Sequence, residues 1–421
     1  MKASGMNGER REGTERTAAE RFLHGEVWGD LLASLDATAR RLFEKELPRT
    51  PQVSALAYRH LLRLLRAGAE LLLEFADAER PMLHRTYDLG MAFALDNPDT
   101  LYHHFPVLPG ATYRLRGEPD GRGKPPHFVS ASTMVFETDG LPRMGADLNN
   151  ANGSLGVTAE GGFELSIGAE PHGGNWLELE PEFPRQRVFL RQTFQDWENE
   201  RPLRLELGRL DAVPPPRVVF PETVATALQF IPAFVEFQAE RWIRNTIEAR
   251  QRGENVLPRP EENPGIAGLT GQRYAQGFYK VPPGQALLVT FTPPRTCGYW
   301  GIQLANWFGE SLDYANRRVS INAHQAALDR DVAFRAVLAA EDPGVANWLD
   351  VGGGEAFSEG LVVVRVAECA DDCEIDTPQT RLLPLDRVWE ALPAEHPRVD
   401  AKARRREMRA RRRHLMRRLG Q

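Results

Sequence analysis

Two stretches of helical periodicity open the chain. After Thr17 the apolar positions Trp28, Leu31, Leu32, Leu35, Ala39, Leu42 and Phe43 recur at three- and four-residue steps. That spacing predicts one helix with a single buried face. Pro48 ends it, and Thr50-Pro51 reads as the N-cap and first residue of a second helix running to about Phe75. Leu61, Leu62, Leu64, Leu65, Leu71, Leu72 and Leu73 surround that helix on nearly all sides, so a further partner is expected to bury it. Residues 17–95 are thus predicted to form a helical hairpin.

After Asp96 the pattern changes to short alternating runs bounded by Gly, Pro, Asn and Asp, the chemistry of strands and turns. Strands are predicted at 112–116, 128–136, 162–167, 187–192 and 203–207, and again at 286–292, 299–304, 317–321 and 361–366. Between the two sets, Val213-Pro-Pro-Pro216 reads as a stiff linker and 221–250 as a helix. Pro232 inside that helix should kink or divide it, because it removes a backbone donor.

The two β regions resemble each other. Phe163 precedes Asn175-Trp176-Leu177 and then Val188-Phe-Leu-Arg191; Phe334 precedes Asn347-Trp348-Leu349 and then Val362-Val-Val-Arg365. A strand, an Asn-Trp-Leu turn and a strand ending in Arg therefore occur twice, which implies two related β domains. Trp176 and Trp348 are expected to anchor sheet cores, and Asn175 and Asn347 to bond local backbone. Arg191 and Arg365 would need a carboxylate or carbonyl if they face inward. The organisation expected is a disordered leader at 1–16, the hairpin at 17–95, a β-sandwich at 96–212 and a linker with helix at 213–268. A second sandwich follows at 269–398, then a basic helical tail at 399–421.

Composition fits an ordinary globular chain, 42% apolar and 26% charged, with no apolar run long enough for a membrane span. No secretory h-region occurs near the start, and a cytosolic, reducing location is expected. Cys297, Cys369 and Cys373 are odd in number and are expected to be incidental thiols; no metal site and no cofactor is predicted. Charge is uneven. The tail from Ala401 carries ten cations against Glu407, a balance of +9, so the total of −6 leaves −15 on the other 400 residues. The tail is expected to pack on an acidic face of its own chain or of a second copy, with nucleic acid or anionic membrane as the lesser alternative.

The motifs resemble an uncharacterised family, the domain of unknown function numbered 1214. The residues that carry the resemblance are Tyr299-Trp300-Gly-Ile, Tyr314-Ala-Asn316-Arg317, Asn347-Trp348-Leu349, Val363-Val-Arg365, Gly174-Asn-Trp-Leu177 and Arg191-Gln-Thr-Phe-Gln-Asp-Trp-Glu-Asn-Glu200. Asn97-Pro-Asp-Thr-Leu-Tyr102 is similar to a stretch of the companion family numbered 1254. The resemblance implies an α+β fold, mostly β, of two jelly-roll-like sandwiches with helices packed around them, and brings no activity with it.

Hydrolase-elbow, zinc-protease and P-loop motifs are absent from the sequence, and Gly352-Gly-Gly354 reads as a loop. His103 with Asp99 or Tyr102 is the candidate acid/base set for a hydrolase or lyase. The competing reading makes Asn97-Pro98-Asp99 an Asx turn and Tyr102 a plug. Asp196 and Glu200 are a weaker carboxylate pair. The leading expectation is a pocket for a hydrophobic or sugar-like small molecule, lined by Asn97, Tyr102, Tyr299, Trp300 and Trp307, and the third is a structural oligomer.

Overall fold

A computed structural model of the chain describes residues 17–136, 142–211, 221–262, 271–352, 358–370 and 373–420. The leader at 1–16, the Pro-rich linker at 213–216 and Gly353-Gly354 lie outside the described residues. The fold is α+β with a mostly β core: four sheets of four or five strands, with a few helices around them.

The hairpin begins with α1 (Ala18–Leu23) and α2 (Glu26–Glu44), separated at Gly25, whose φ of 73° interrupts what the periodicity predicted as one helix. Leu31 and Leu42 are buried as expected, but Trp28 is 56% exposed and Leu32 51%. The buried face is narrower, defined by Leu31, Thr38 and Leu42 with Leu35 and Phe43 at its margins. The next helix, α3 (Pro51–Ala69), starts as predicted, with the Thr50 side chain accepting from Val53 N. Its final turn, Glu70–Glu74, widens into a π-helix that stops at Phe75. Leu64 and Ala67 are buried there, whereas Leu62 is 67% exposed.

The burying partner is α4 (Pro221–Gln251), which runs unbroken through Pro232. Packing overrides the local defect: at Gly68 of α3 an added Cβ would lie 3.2 Å from Phe234 and 3.3 Å from Ile231. Ile231, Val235 and Ala239 share an apolar cluster with Leu64, Ala67, Met91 and Phe93.

Eight strands build the first sandwich: β1 (Thr100–Val107), β2 (Tyr113–Glu118), β3 (Phe128–Phe136), β4 (Pro142–Asn149), β5 (Phe163–Gly168), β6 (Asn175–Glu178), β7 (Gln186–Thr193) and β8 (Arg204–Arg209). They pair as β1-β7-β3-β4 and β6-β5-β2-β8. After the two-residue β9 (Glu261–Glu262), eight more strands follow. They are β10 (Arg273–Lys280), β11 (Gln285–Phe291), β12 (Cys297–Ala305), β13 (Ser320–Asn322), β14 (Phe334–Ala339), β15 (Trp348–Asp350), β16 (Glu359–Cys369) and β17 (Gln379–Pro384). Their order, β13-β12-β16-β10-β9 and β15-β14-β11-β17, is the first sandwich repeated strand for strand, with β9 added at one edge. Each pair of sheets encloses its own apolar core.

The Asn-Trp-Leu segments are short parallel strands rather than turns. Asn175 Nδ2 donates to Gly156 O (2.8 Å) and Glu164 O (2.9 Å); Asn347 Nδ2 donates to Ala327 O (2.7 Å) and Arg335 O (3.0 Å). The Trp176 indole donates to Gly168 O (3.0 Å) and that of Trp348 to Ala339 O (2.9 Å). Both indoles are half-buried, so they clamp the sheet edge instead of filling the core. The match of every partner shows that the two copies keep one local design.

The cysteines correct an expectation. Antiparallel pairing of β12 with β16 sets Cys297 opposite Cys369, and the two form a disulfide across 72 residues of sequence. Sequence spacing hides this juxtaposition, which only the strand register creates. Among the described residues no helix is long and apolar enough to cross a membrane.

Candidate functional site at the junction of the two sandwiches

The loop between hairpin and β1 meets both sandwiches. Asn97 Oδ1 accepts from Asp99 N (3.0 Å), the Asx turn that the sequence allowed, and Asn97 N donates to the Tyr102 hydroxyl (3.2 Å). Asp99 is a hub. Its Oδ2 accepts from the Tyr299 hydroxyl (2.8 Å), and its Oδ1 from Trp197 Nε1 (2.9 Å) and Asn322 Nδ2 (3.0 Å). Burial pushes the Asp99 carboxyl up, opposed by the Tyr299 hydrogen bond and by the fields of Arg411 and Arg418. Asp96 accepts from Ser311 N (3.0 Å) and Oγ (2.6 Å), yet burial still raises it to about 6. Four separated motifs, at 97–102, 194–200, 299–300 and 320–322, thus close on one buried carboxylate.

Beside this hub stand the repeat-related arginines. Strand register puts Tyr102 opposite Arg191 in the first sandwich and Tyr274 opposite Arg365 in the second. Alternation along each strand sends these four side chains away from the sandwich cores, onto the sheet faces that meet the loop and helices. They are close enough to act on one another electrostatically: Tyr102 and Tyr274 each feel both guanidinium groups. Burial nevertheless pushes both phenols up, together with Tyr87, whose ring lies 4.8 Å from that of Tyr102.

The two arginines differ in their partners. Arg365, 5% exposed, donates to Leu95 O (2.5 Å) and to the Gln303 side chain. Arg191, 6% exposed, makes one side-chain hydrogen bond among the described residues, to Ser132 Oγ (2.7 Å). Its Cζ lies 5.6 Å from the Phe189 ring centroid. Among the described residues no carboxylate lies within ion-pair distance of it. Asp147, which its field lowers against a larger rise from burial, leaves Oδ1 without a partner among the described residues.

The remaining candidates do not join this site. His103 and Tyr102 are adjacent in β1 and project to opposite faces. His103 Nδ1 has no partner among the described residues, and burial lowers the ring to about 4. His103, Asp99 and Tyr102 therefore form no acid/base triad. The fully buried histidine of β1 is His104, whose Nδ1 accepts from Arg187 while Arg187 also caps Leu71 O and Phe75 O (both 3.0 Å) at the end of the π-turn. Trp300 packs in the second core against Phe334 (5.0 Å) and Phe291 (5.5 Å). Trp307 lies in a separate cluster, beside Phe278 (4.9 Å) and bonded to Glu359 (3.2 Å). Trp300, Trp307 and Tyr299 consequently do not wall one pocket. Asp196 is tied to Asn199 (2.8 Å), and Glu200 accepts from three backbone amides, of Gln195, Asp196 and His127. Those bonds shape a loop and leave no opposed carboxylate pair.

The basic tail closes the junction. α5 (Ala401–Arg418), capped by Asp400, lays Arg411 against Tyr314 O (2.7 Å) and Ser320 Oγ (2.5 Å), and Arg418 against Pro98 O (2.6 Å). Arg411 and His414 both stack on Trp197, at 4.2 and 5.2 Å. The tail packs on its own chain: Arg404 pairs with Asp342 (2.9 Å), while Arg411 and Arg418 face carbonyls and act on the buried Asp99. Sequence reasoning missed Ser132, Tyr274, Gln303 and Tyr87. Aligning the two repeats beyond their Trp motif would have exposed Tyr274, since it holds the place of Tyr102.

Comparison with known proteins adds the fold and no activity. No protein-family profile and no curated protein matches the chain. The structure is similar to the crystal structure of an uncharacterised protein from Burkholderia cenocepacia, with a TM-score of 0.79 and 28% identity over 88% of this chain and 100% of that one. A Vibrio parahaemolyticus protein of known structure aligns with a TM-score of 0.42 and 10% identity, over 77% of this chain and 98% of that one.

Proposed function

We propose that this chain is a binding protein for a small ring-bearing organic acid, aromatic or sugar-derived, taken up at the junction between its two sandwiches. The observation that carries the reading is Arg191. A guanidinium has five donors, and among the described residues this one, almost wholly buried, has a single side-chain partner, Ser132 Oγ. A buried cation without a counter-charge is costly, and a ligand carboxylate would satisfy it with paired hydrogen bonds. Tyr87, Tyr102 and Tyr274 supply flat apolar surface with polar tips in the field of the same arginine. All three keep part of their surface accessible.

We also propose that the chain belongs to the paired family that its motifs resemble; Asn97, Asp99, Trp197 and Tyr299, which lie in those motifs, meet at one hub. Mass spectrometry of the protein under native conditions, followed by extraction, tests the binding reading. A small carboxylic acid is expected to leave the wild type and to be missing from Arg191→Met. Retention of the same acid by Arg191→Met, or a wild type that neither carries nor takes up any member of a panel of aromatic and sugar acids, would overturn it.

A further inference from the structure

The sulfur atoms of Cys297, Cys369 and Cys373 all lie within 4.8 Å of one another, and Cys297 Sγ is 3.3 Å from Cys373 Sγ. Two independent features build this cluster. The β12–β16 register brings Cys297 to Cys369. Cys373 N donates to Ala370 O (3.0 Å) and Arg273 donates to Cys373 O (3.3 Å), which holds the third sulfur beside them. All three residues are half-buried at the rim of the second core. Three sulfurs bound at about 2.3 Å to a common centre in a trigonal plane would stand roughly 4 Å apart, which this triangle can meet by small side-chain rotations.

We propose that in the reduced protein these three thiolates form a binding site for Cu(I). The choice of ion follows from the donor set. Thiolates are soft ligands and select Cu(I) or zinc, but structural zinc sites are almost always four-coordinate. Among the described residues no fourth His, Cys, Asp or Glu donor joins the triangle. Access to the site depends on redox state. A dithiol reductant gives two electrons and two protons to the Cys297–Cys369 bond and leaves as its own cyclic disulfide. Binding of Cu(I) then displaces the three thiol protons. Reoxidation of the pair would withdraw two of the three ligands, so metal and disulfide exclude each other.

The test uses the full chain, reduced anaerobically with a dithiol that is then removed, and titrated with Cu(I) held by a chromogenic chelator. One Cu(I) per chain should pass from chelator to protein. The air-oxidised protein should take up none. Cys373→Ser, which alters a loop residue and leaves the strand pair intact, should weaken binding at least ~100-fold, with an unchanged circular dichroism spectrum. A reduced wild type that leaves all Cu(I) on the chelator would overturn the assignment. So would a Cys373→Ser protein that binds as tightly as wild type, or oxidised protein that binds equally well.

Discussion

The two sandwiches share every strand pairing and both Asn-Trp clamps, yet their equivalent arginines are treated differently. Arg365 is built in: it ties β12 and β16 to the Leu95 carbonyl of the loop that enters the junction. Arg191 has the same strand position, the same tyrosine opposite and almost the same burial, but Ser132 stands where the second copy has Gln303, and among the described residues no loop carbonyl accepts from it. The difference separates two roles that a single domain would have to combine. One copy uses its cation to hold the halves together; the other copy's cation is the one the proposed reading assigns to a ligand carboxylate.

The largest expected effect lies on the built-in side. Arg365→Met leaves the Leu95 carbonyl and the Gln303 amide oxygen without their donor, and removes a positive charge that lowers the buried Asp96. A loss of about 3 kcal/mol in urea unfolding is expected. A change near zero would erase the contrast between the copies.

A pH dependence sharpens the same contrast, because Asp96 sits on the Arg365 side. Its folded-state pKa, about 6, lies above the ordinary value of 3.8, so the folded protein holds the proton longer than the unfolded chain does. Stability from this group should therefore fall as pH rises from about 4 to about 6, and level off above that, by at most about 3 kcal/mol. In Asp96→Asn that slope should vanish from the stability profile; a slope unchanged in the variant would place the titration elsewhere.

Much of the scaffold was legible in the chain. Thr50-Pro51 gave the start of α3, alternation gave most of the central strands, and the duplicated Asn-Trp-Leu revealed the repeat. What failed has physical causes. Pro232 was read by its local cost, while packing of α4 on Gly68 decided the matter. The edge strands β4, β6 and β15 carry weak alternation and become strands only by pairing with a neighbour. The candidate site was half legible. Asn97, Asp99, Tyr102 and Tyr299 do meet, and Arg191 was singled out. His103 was placed with them by proximity in sequence, which in a strand means the opposite face. Trp300 and Trp307 were chosen for their size, and size took them into two separate cores. The cysteine triangle depends on strand register and on the bonds that hold Cys373 beside the pair, neither of which spacing discloses.

The smallest expected effect is the most telling, because its sign differs from that of Arg365→Met. Arg191→Met replaces a buried, unneutralised cation by an apolar side chain of similar length, so ligand-free protein should gain about 1 kcal/mol in urea unfolding. A loss comparable to that of Arg365→Met, measured on the same ligand-free protein, would mean that Arg191 is another structural tie and that the junction holds no acid.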